Sequence, residues 1–292
     1  MKILLTGASG FLGGALVRSF AKGDDRLAVL ARNTSNLEML SRDVEALSIY
    51  RFDGVDEVYE AIRNFMPDAV IHTACCYGRQ NEALPTLIGA NIEFGSIVLD
   101  ALNAIKNVST FINIGSALPS EHSLYARTKN FFSEWGKQYV EETSSKTTFI
   151  DLKFQHIYGP DDESHKFVSY LISSCLSDRC DLPLTAGDQV RDFIYIEDAI
   201  TAIMAVIKNQ HQFSPYALVE VGSGFGLKIK DLAENIKKLT KSKINLKFGC
   251  HPYRKNEAMH CVADITTLQS LGWKPIYTID SGISKILDMK KQ

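Results

Sequence analysis

The chain has 292 residues, room for one large domain or two, and 45% of them are hydrophobic, ample to fill a core. A net charge of −2, from 32 basic and 34 acidic residues, leaves no excess for nucleic acid or a membrane surface. Met1-Lys2 leads straight into an apolar stretch, and no apolar run approaches the roughly 18 to 20 residues that span a bilayer, so neither signal peptide nor membrane span is expected. The six cysteines form no Cys-x-x-Cys and no zinc spacing, which points to free thiols, a cytoplasmic setting and no bound metal.

Ile3, Leu4 and Leu5 read as a strand buried on both faces. Gly7, Gly10 and Gly13 follow at three-residue spacing, and a helical pattern (Phe11, Leu12, Ala15, Leu16) begins among them. In such a strand–turn–helix the first glycine permits the turn, the second lets backbone approach a pyrophosphate, and the third lets the helix lie close on the sheet. The N–H groups of the helix start, with Ser9, Phe11 and Leu12 between the glycines, then face the phosphates. A second strand, 27–31, ends at Arg32-Asn33. An acid there would hold the ribose 2′-hydroxyl of NAD, whereas the guanidinium of Arg32 suits the 2′-phosphate of NADP.

A third strand over 46–52 places Asp53 where a carboxylate meets the adenine amino group. A helix through Val58, Ile62 and Phe65 leads to a fourth strand that starts at Asp68. His72 in that strand reads as a packed histidine with one hydrogen bond, and the small Ala74 suits a backbone lying against the cofactor. The polar loop 76–82, with Tyr77 and Arg79, follows the carboxyl end of a strand near the point where strand order reverses, where open α/β sheets bind ligands. Helix 90–104 carries Asn91, Gly95 and Ser96, and strand 110–116 ends in Ser116.

Tyr125 and Lys129 stand one turn apart on one face of the predicted helix 125–141. A phenol titrates near 10, and a neighbouring ammonium favours the phenolate and draws that value toward the working range of an acid–base catalyst. Ser116 can hydrogen-bond the same substrate oxygen. After strand 148–154 the run His156-Ile-Tyr-Gly-Pro160 breaks the extended chain. The spacing predicts an α/β protein: a Rossmann-type doubly wound parallel sheet over 1–160, and a smaller C-terminal α/β substrate domain over 161–292. Residues 191–225 are expected to return to the large sheet. The smaller region holds helices 167–176, 229–239 and 265–271 and a strand 243–248, and Lys290-Lys291 reads as a frayed tail.

The glycine turn, Ser116, Tyr125/Lys129, His156-Ile-Tyr-Gly-Pro, Arg191-Asp-Phe-Ile-Tyr-Ile-Glu-Asp and Leu271-Gly-Trp-Lys-Pro together resemble the extended short-chain dehydrogenase/reductase superfamily over nearly the whole chain. Within it, Cys76-Tyr-Gly-Arg-Gln-Asn-Glu, Leu118-Pro-Ser-Glu-His-Ser-Leu-Tyr and Ser164-His-Lys-Phe-Val-Ser-Tyr are similar to the CDP-paratose and CDP-abequose synthases. Those enzymes reduce the 4-keto group of CDP-4-dehydro-3,6-dideoxyglucose with NADPH for bacterial O-antigen.

The resemblance implies Tyr125 as proton donor to the C4 oxygen, Lys129 as its partner and Ser116 as orienter of that oxygen. It gives Gly7, Gly10 and Gly13 the pyrophosphate, Arg32 the 2′-phosphate and Asp53 the adenine, with Asn33, Ala74, Asn91 and His156 completing the cofactor set. Arg191 and Arg254 match arginines that bind the sugar-nucleotide diphosphate, and Tyr77, Arg79, His165, Lys166 and Phe167 join the substrate pocket. The superfamily often has Asn where His156 stands. A homodimer is also implied.

Three other readings share parts of this pattern. A 4,6-dehydratase needs an acid–base pair after the catalytic serine, and here Ala117-Leu118-Pro119 follow. A 4-epimerase recycles NAD and has no use for a 2′-phosphate site such as Arg32. A dinucleotide sensor with a dead site has no need of an intact tyrosine and lysine.

Overall fold

A computed structural model of the chain describes residues 1–41, 47–105, 109–143, 145–177 and 179–291. The first half runs β1 (Lys2–Thr6), α1 (Phe11–Phe20), β2 (Arg26–Arg32), α2 (Glu38–Ser41), β3 (Ser48–Phe52), α3 (Val55–Phe65), β4 (Ala69–His72), α4 (Leu84–Ile88), a π-helical turn (Gly89–Glu93), α5 (Phe94–Ala104), β5 (Ser109–Ser116), α6 (Leu124–Glu142) and β6 (Thr147–Phe154). There follow β7 (His156–Tyr158), α7 (Phe167–Leu176), β8 (Asp181–Pro183), β9 (Val190–Tyr195), α8 (Ile196–Lys208), β10 (Tyr216–Val221), β11 (Gly226–Lys228), α9 (Ile229–Thr240), β12 (Asn245–Lys247), β13 (His260–Cys261), α10 (Thr266–Ser270) and α11 (Ile279–Met289). The chain divides into two compact units: Met1–Lys153 with Met204–Val219, and Phe154–Ile203 with Glu220–Gln292.

The large sheet has seven strands in the order β10-β6-β5-β4-β1-β2-β3, so its order reverses between β1 and β4. Along it, β1 pairs in parallel with β2 and β4, β2 with β3, and β4 with β5. This is the doubly wound Rossmann-type sheet read from the sequence. Parallel strands covered on both faces must be apolar throughout, and Ile3, Leu4, Leu5, Val70 and Ile71 have no exposed surface. Helix α1 buries Leu12, Leu16 and Phe20 at helical spacing, and α3 does the same with Val58, Ile62 and Phe65. Under α6, Phe111 and Phe149 stack with ring centres 5.4 Å apart, and Phe132 meets both edge-on at 6.0 and 5.9 Å.

The second unit has its own sheet, in which β9 pairs antiparallel with β11 and in parallel with β13 and β7. A short parallel pair joins β12 to β8.

Several expectations change. Residues 193–196 do not return to the large sheet: β9 belongs to the second, and β10 alone makes the return. A run of β-favouring residues predicts a strand, but its sheet is chosen by tertiary pairing. The predicted strand 243–248 shortens to β12, and α2, α4 and α11 were not anticipated. The expected start of the third strand at Ala46 lies outside the described residues. Leu84–Ala104 is one helical stretch of 21 residues, long and apolar enough by length and composition to cross a membrane. That corrects the reading that no such run exists; here Leu87, Val98, Leu99 and Leu102 of this stretch are buried in the core.

Candidate active site

The turn between β1 and α1 sits where strand order reverses, and its geometry admits only glycine at two places. Gly7 has φ +73°, and a Cβ there would lie 2.5 Å from the backbone nitrogen of Ala74, just past β4. At Gly13 a Cβ would run into the carbonyl oxygen of Gly7. The N–H of Gly10 donates to the Gly7 carbonyl at 3.0 Å, and Gly14 donates to the Gly10 carbonyl at 2.8 Å, which closes the turn and starts the helix. Gly10 is the N-cap and carries no capping side chain. A dinucleotide pyrophosphate fits this cradle, because backbone without side chains can approach it and the positive end of the α1 dipole points at it.

At the end of β2, Arg32 is exposed. The side-chain amide of Asn33 donates to the Asp53 carboxylate at 2.5 Å, so these two predicted cofactor residues are tied to each other. Arg51, which nothing in the sequence marks, fixes the same edge. Its guanidinium donates to the carbonyls of Arg32 and Ser35, each at 2.8 Å.

The reacting end gathers on β5 and α6. Ser116 closes β5 and is 6% exposed, with its hydroxyl accepting from the N–H of Leu118 at 3.3 Å. Ser123 caps α6 by accepting from the Ala126 N–H at 3.1 Å, which fixes the first turn and the Tyr125 it carries. The Tyr125 ring lies 4.7 Å from that of Tyr77, and the Arg79 guanidinium stands 5.1 Å over Tyr77. The structure thus brings Tyr77 onto the phenol and Arg79 over Tyr77.

The electrostatics overturn one expectation. Burial, then Cys75 and Tyr77, push the Tyr125 phenol well above its ordinary value of 10, and only Arg79 opposes them. Lys129 has 1% of its surface exposed, and burial lowers its pKa, with Cys75 and Asp151 acting the other way. The phenol therefore holds its proton at neutral pH. Desolvation penalises the anion more than the Arg79 charge favours it. Cys75 is a neighbour of both Tyr125 and Lys129 that the sequence pattern did not mark.

Asn91, expected at the cofactor, is employed otherwise. It is fully buried on the π-helical turn, where its amide donates to the Cys76 carbonyl at 2.8 Å and to the Thr128 hydroxyl at 2.9 Å. Its carbonyl oxygen accepts from the Cys76 N–H at 2.7 Å. It straps the loop after β4 to α6. Thr128 in turn donates to the Tyr125 carbonyl at 2.9 Å. His72 is buried, shares a 2.9 Å hydrogen bond with the Thr6 hydroxyl, and is kept neutral by burial and then by Lys129.

The remaining predicted residues belong to the second unit. His156 opens β7, its ring 5.5 Å from Phe193. Phe167 starts α7, and Lys166 before it pairs with Asp162 at 2.7 Å. His165 meets Glu163 at 3.0 Å. Arg191 is 4% exposed; its guanidinium pairs with Glu257 and donates to the Val190 carbonyl at 2.8 Å. Arg254 is exposed, and its carbonyl accepts from the Glu257 N–H at 3.1 Å.

A strand–glycine turn–helix at the switch point and a Ser, Tyr and Lys on the next strand and helix mark a dinucleotide-dependent enzyme. The profile of the NAD dependent epimerase/dehydratase family matches residues 3–222. The chain is 31% identical to the CDP-abequose synthase of Salmonella muenchen, over 99% of its own length and 98% of that protein's. It is 27% identical to the CDP-abequose synthase of Salmonella typhimurium, over 98% and 97%. Among solved structures, the UDP-glucose 4-epimerase of Thermus thermophilus in complex with NAD superimposes with a TM-score of 0.82 at 21% identity, covering 100% of this chain and 99% of that one. The chain belongs to the NAD dependent epimerase/dehydratase family. It is thus an enzyme that works with a nicotinamide dinucleotide.

Proposed function

We propose that this enzyme reduces the C4 ketone of a nucleotide-activated deoxyhexose with NADPH. The substrate we assign is CDP-4-dehydro-3,6-dideoxy-D-glucose, and the product CDP-paratose or CDP-abequose for O-antigen. Full-length likeness to two CDP-abequose synthases supports the substrate class. The observation that carries the reading is the placement of Ser116 at the end of β5 and of Tyr125 and Lys129 one turn apart on α6, a hydroxyl to orient an oxygen and a phenol to protonate it.

Gly7, Gly10 and Gly13 would hold the pyrophosphate and Arg32 the 2′-phosphate, and the bound dinucleotide supplies the hydride. As negative charge builds on the C4 oxygen, the Ser116 hydroxyl donates a hydrogen bond to it and Tyr125 transfers its phenolic proton. Lys129, one turn along α6, favours the phenolate that is left until solvent restores the proton. Tyr77, packed on the phenol with Arg79 over its own ring, would face the incoming sugar.

The test is Tyr125→Phe. Turnover of a CDP-4-keto sugar with NADPH should fall about 10²- to 10⁴-fold, the range for loss of a general acid, while NADPH affinity measured by fluorescence stays as in the wild type. Undiminished reduction by the variant would sink the reading. Stoichiometric loss of NADPH separates the reductase from a 4-epimerase, which isomerises its sugar without net consumption.

A further inference from the structure

Asp151 on β6 has no exposed surface, Asn113 and Ser133 hydrogen-bond its carboxyl, and among the described residues its Oδ2 meets no placed donor. A carboxylate in that position is costly unless a positive charge offsets it. Its surroundings lead to the candidate active site. Its Oδ1 accepts from the Asn113 amide at 2.7 Å and fills the space that a side chain at Gly115, next to Ser116, would need. Asn113 also reaches the Ser133 hydroxyl at 3.3 Å, and Ser133 donates to the Lys129 carbonyl at 3.1 Å. The carboxylate is thus wedged under the end of β5 and against the turn of α6 that carries Lys129.

Lys129 presents the complementary anomaly. It is an almost wholly buried lysine that makes no direct ion pair among the described residues. His72 from β4, Cys75 from the loop beyond it and Asp151 from β6 face it, and Asp151 is the one carboxylate among them. Asp151 itself is faced first by Lys153 on its own strand, then by Lys129, and by Tyr216 on β10.

We propose that Asp151 is a positioning residue for Lys129, the buried counter-charge that keeps its ammonium protonated on the helix that carries Tyr125. The inference rests on the reading of Lys129 as the partner of Tyr125. Burial alone works against both charges, raising the carboxyl and lowering the amine, and each group opposes the shift of the other.

Asp151→Asn removes the charge and keeps an oxygen for Asn113. Lys129 can be titrated in the ligand-free protein by ¹³Cε-lysine NMR, its signal assigned by its loss in Lys129→Met. In Asp151→Asn the Lys129 midpoint should fall by about one pH unit, and the pH at which kcat/KM begins to drop should fall with it. A merely structural role would lower the melting temperature and leave the midpoint in place, and an unmoved midpoint overturns the proposal. Should Asp151→Asn fail to fold, reciprocity offers the same test. In Lys129→Met the Asp151 carboxyl, followed by ¹³Cγ, should titrate about one unit higher, and no change there equally overturns the proposal. Because both titrations need neither substrate nor dinucleotide, their failure is distinct from a failure of Tyr125→Phe, which would sink the functional reading itself.

Discussion

In the first unit the cradle proposed for a phosphate is made of backbone, shaped by Gly7, Gly10 and Gly13, and Arg32 at the end of β2 is exposed. In the second unit, three of the side chains named for substrate are already held by carboxylates, Arg191 by Glu257, Lys166 by Asp162 and His165 by Glu163. A backbone site needs only residues that stay out of the way, so it is ready before its ligand arrives. A side-chain site needs its charges held, and a ligand phosphate must compete with the acids that hold them.

The sharpest way to break this contrast is Glu257→Ala. Among the described residues it leaves the buried Arg191 guanidinium with the Val190 carbonyl as its partner, and stability should fall by about 3–5 kcal/mol, read from urea unfolding. If Arg191 grips a diphosphate, as the family resemblance implies, added CDP should restore part of that loss. Arg32→Ala tests the opposite case, a cation with no such tether among the described residues. It should leave the melting temperature unchanged and weaken NADPH relative to NADH about 10- to 100-fold, as expected for loss of a hydrogen bond to a charged group.

His72 shows a third treatment of charge, in which burial keeps the group neutral. Its folded pKa lies below 6.5, so the unfolded chain binds the extra proton first. Stability is therefore retained above about pH 6.5 and lost as pH falls below it, at up to about 1.4 kcal/mol per pH unit. His72→Gln should flatten that slope in urea midpoints taken at several pH values. The smallest effect is expected at Glu163→Gln. The pair with His165 is nearly half exposed on both sides, and its loss should move stability by less than about 0.5 kcal/mol.

Much of the first unit could be read from local pattern. Apolar runs and helical spacing found its strands and most of its helices, and the Tyr125/Lys129 interval placed both residues on one turn of α6. Helix α11 could have been read as well, since Thr278 caps it and Ile279, Ile283 and Ile286 repeat at helical spacing. The strap formed by Asn91 was out of reach, because a polar residue on a helix looks the same whether it meets a ligand or the Cys76 backbone.

What the sequence by itself determined is whatever depends on covalent spacing and residue type: the glycine turn, the strand–helix alternation, and Ser116, Tyr125 and Lys129 in their order. Tertiary structure alone decided which sheet took β9, that Arg191 is matched by Glu257 across 66 positions, and that Asp151 comes within reach of the Lys129 charge. The physical reason is range. Steric and hydrogen-bonding preferences act over one or two turns of chain, whereas burial and through-space charge depend on neighbours that only folding supplies.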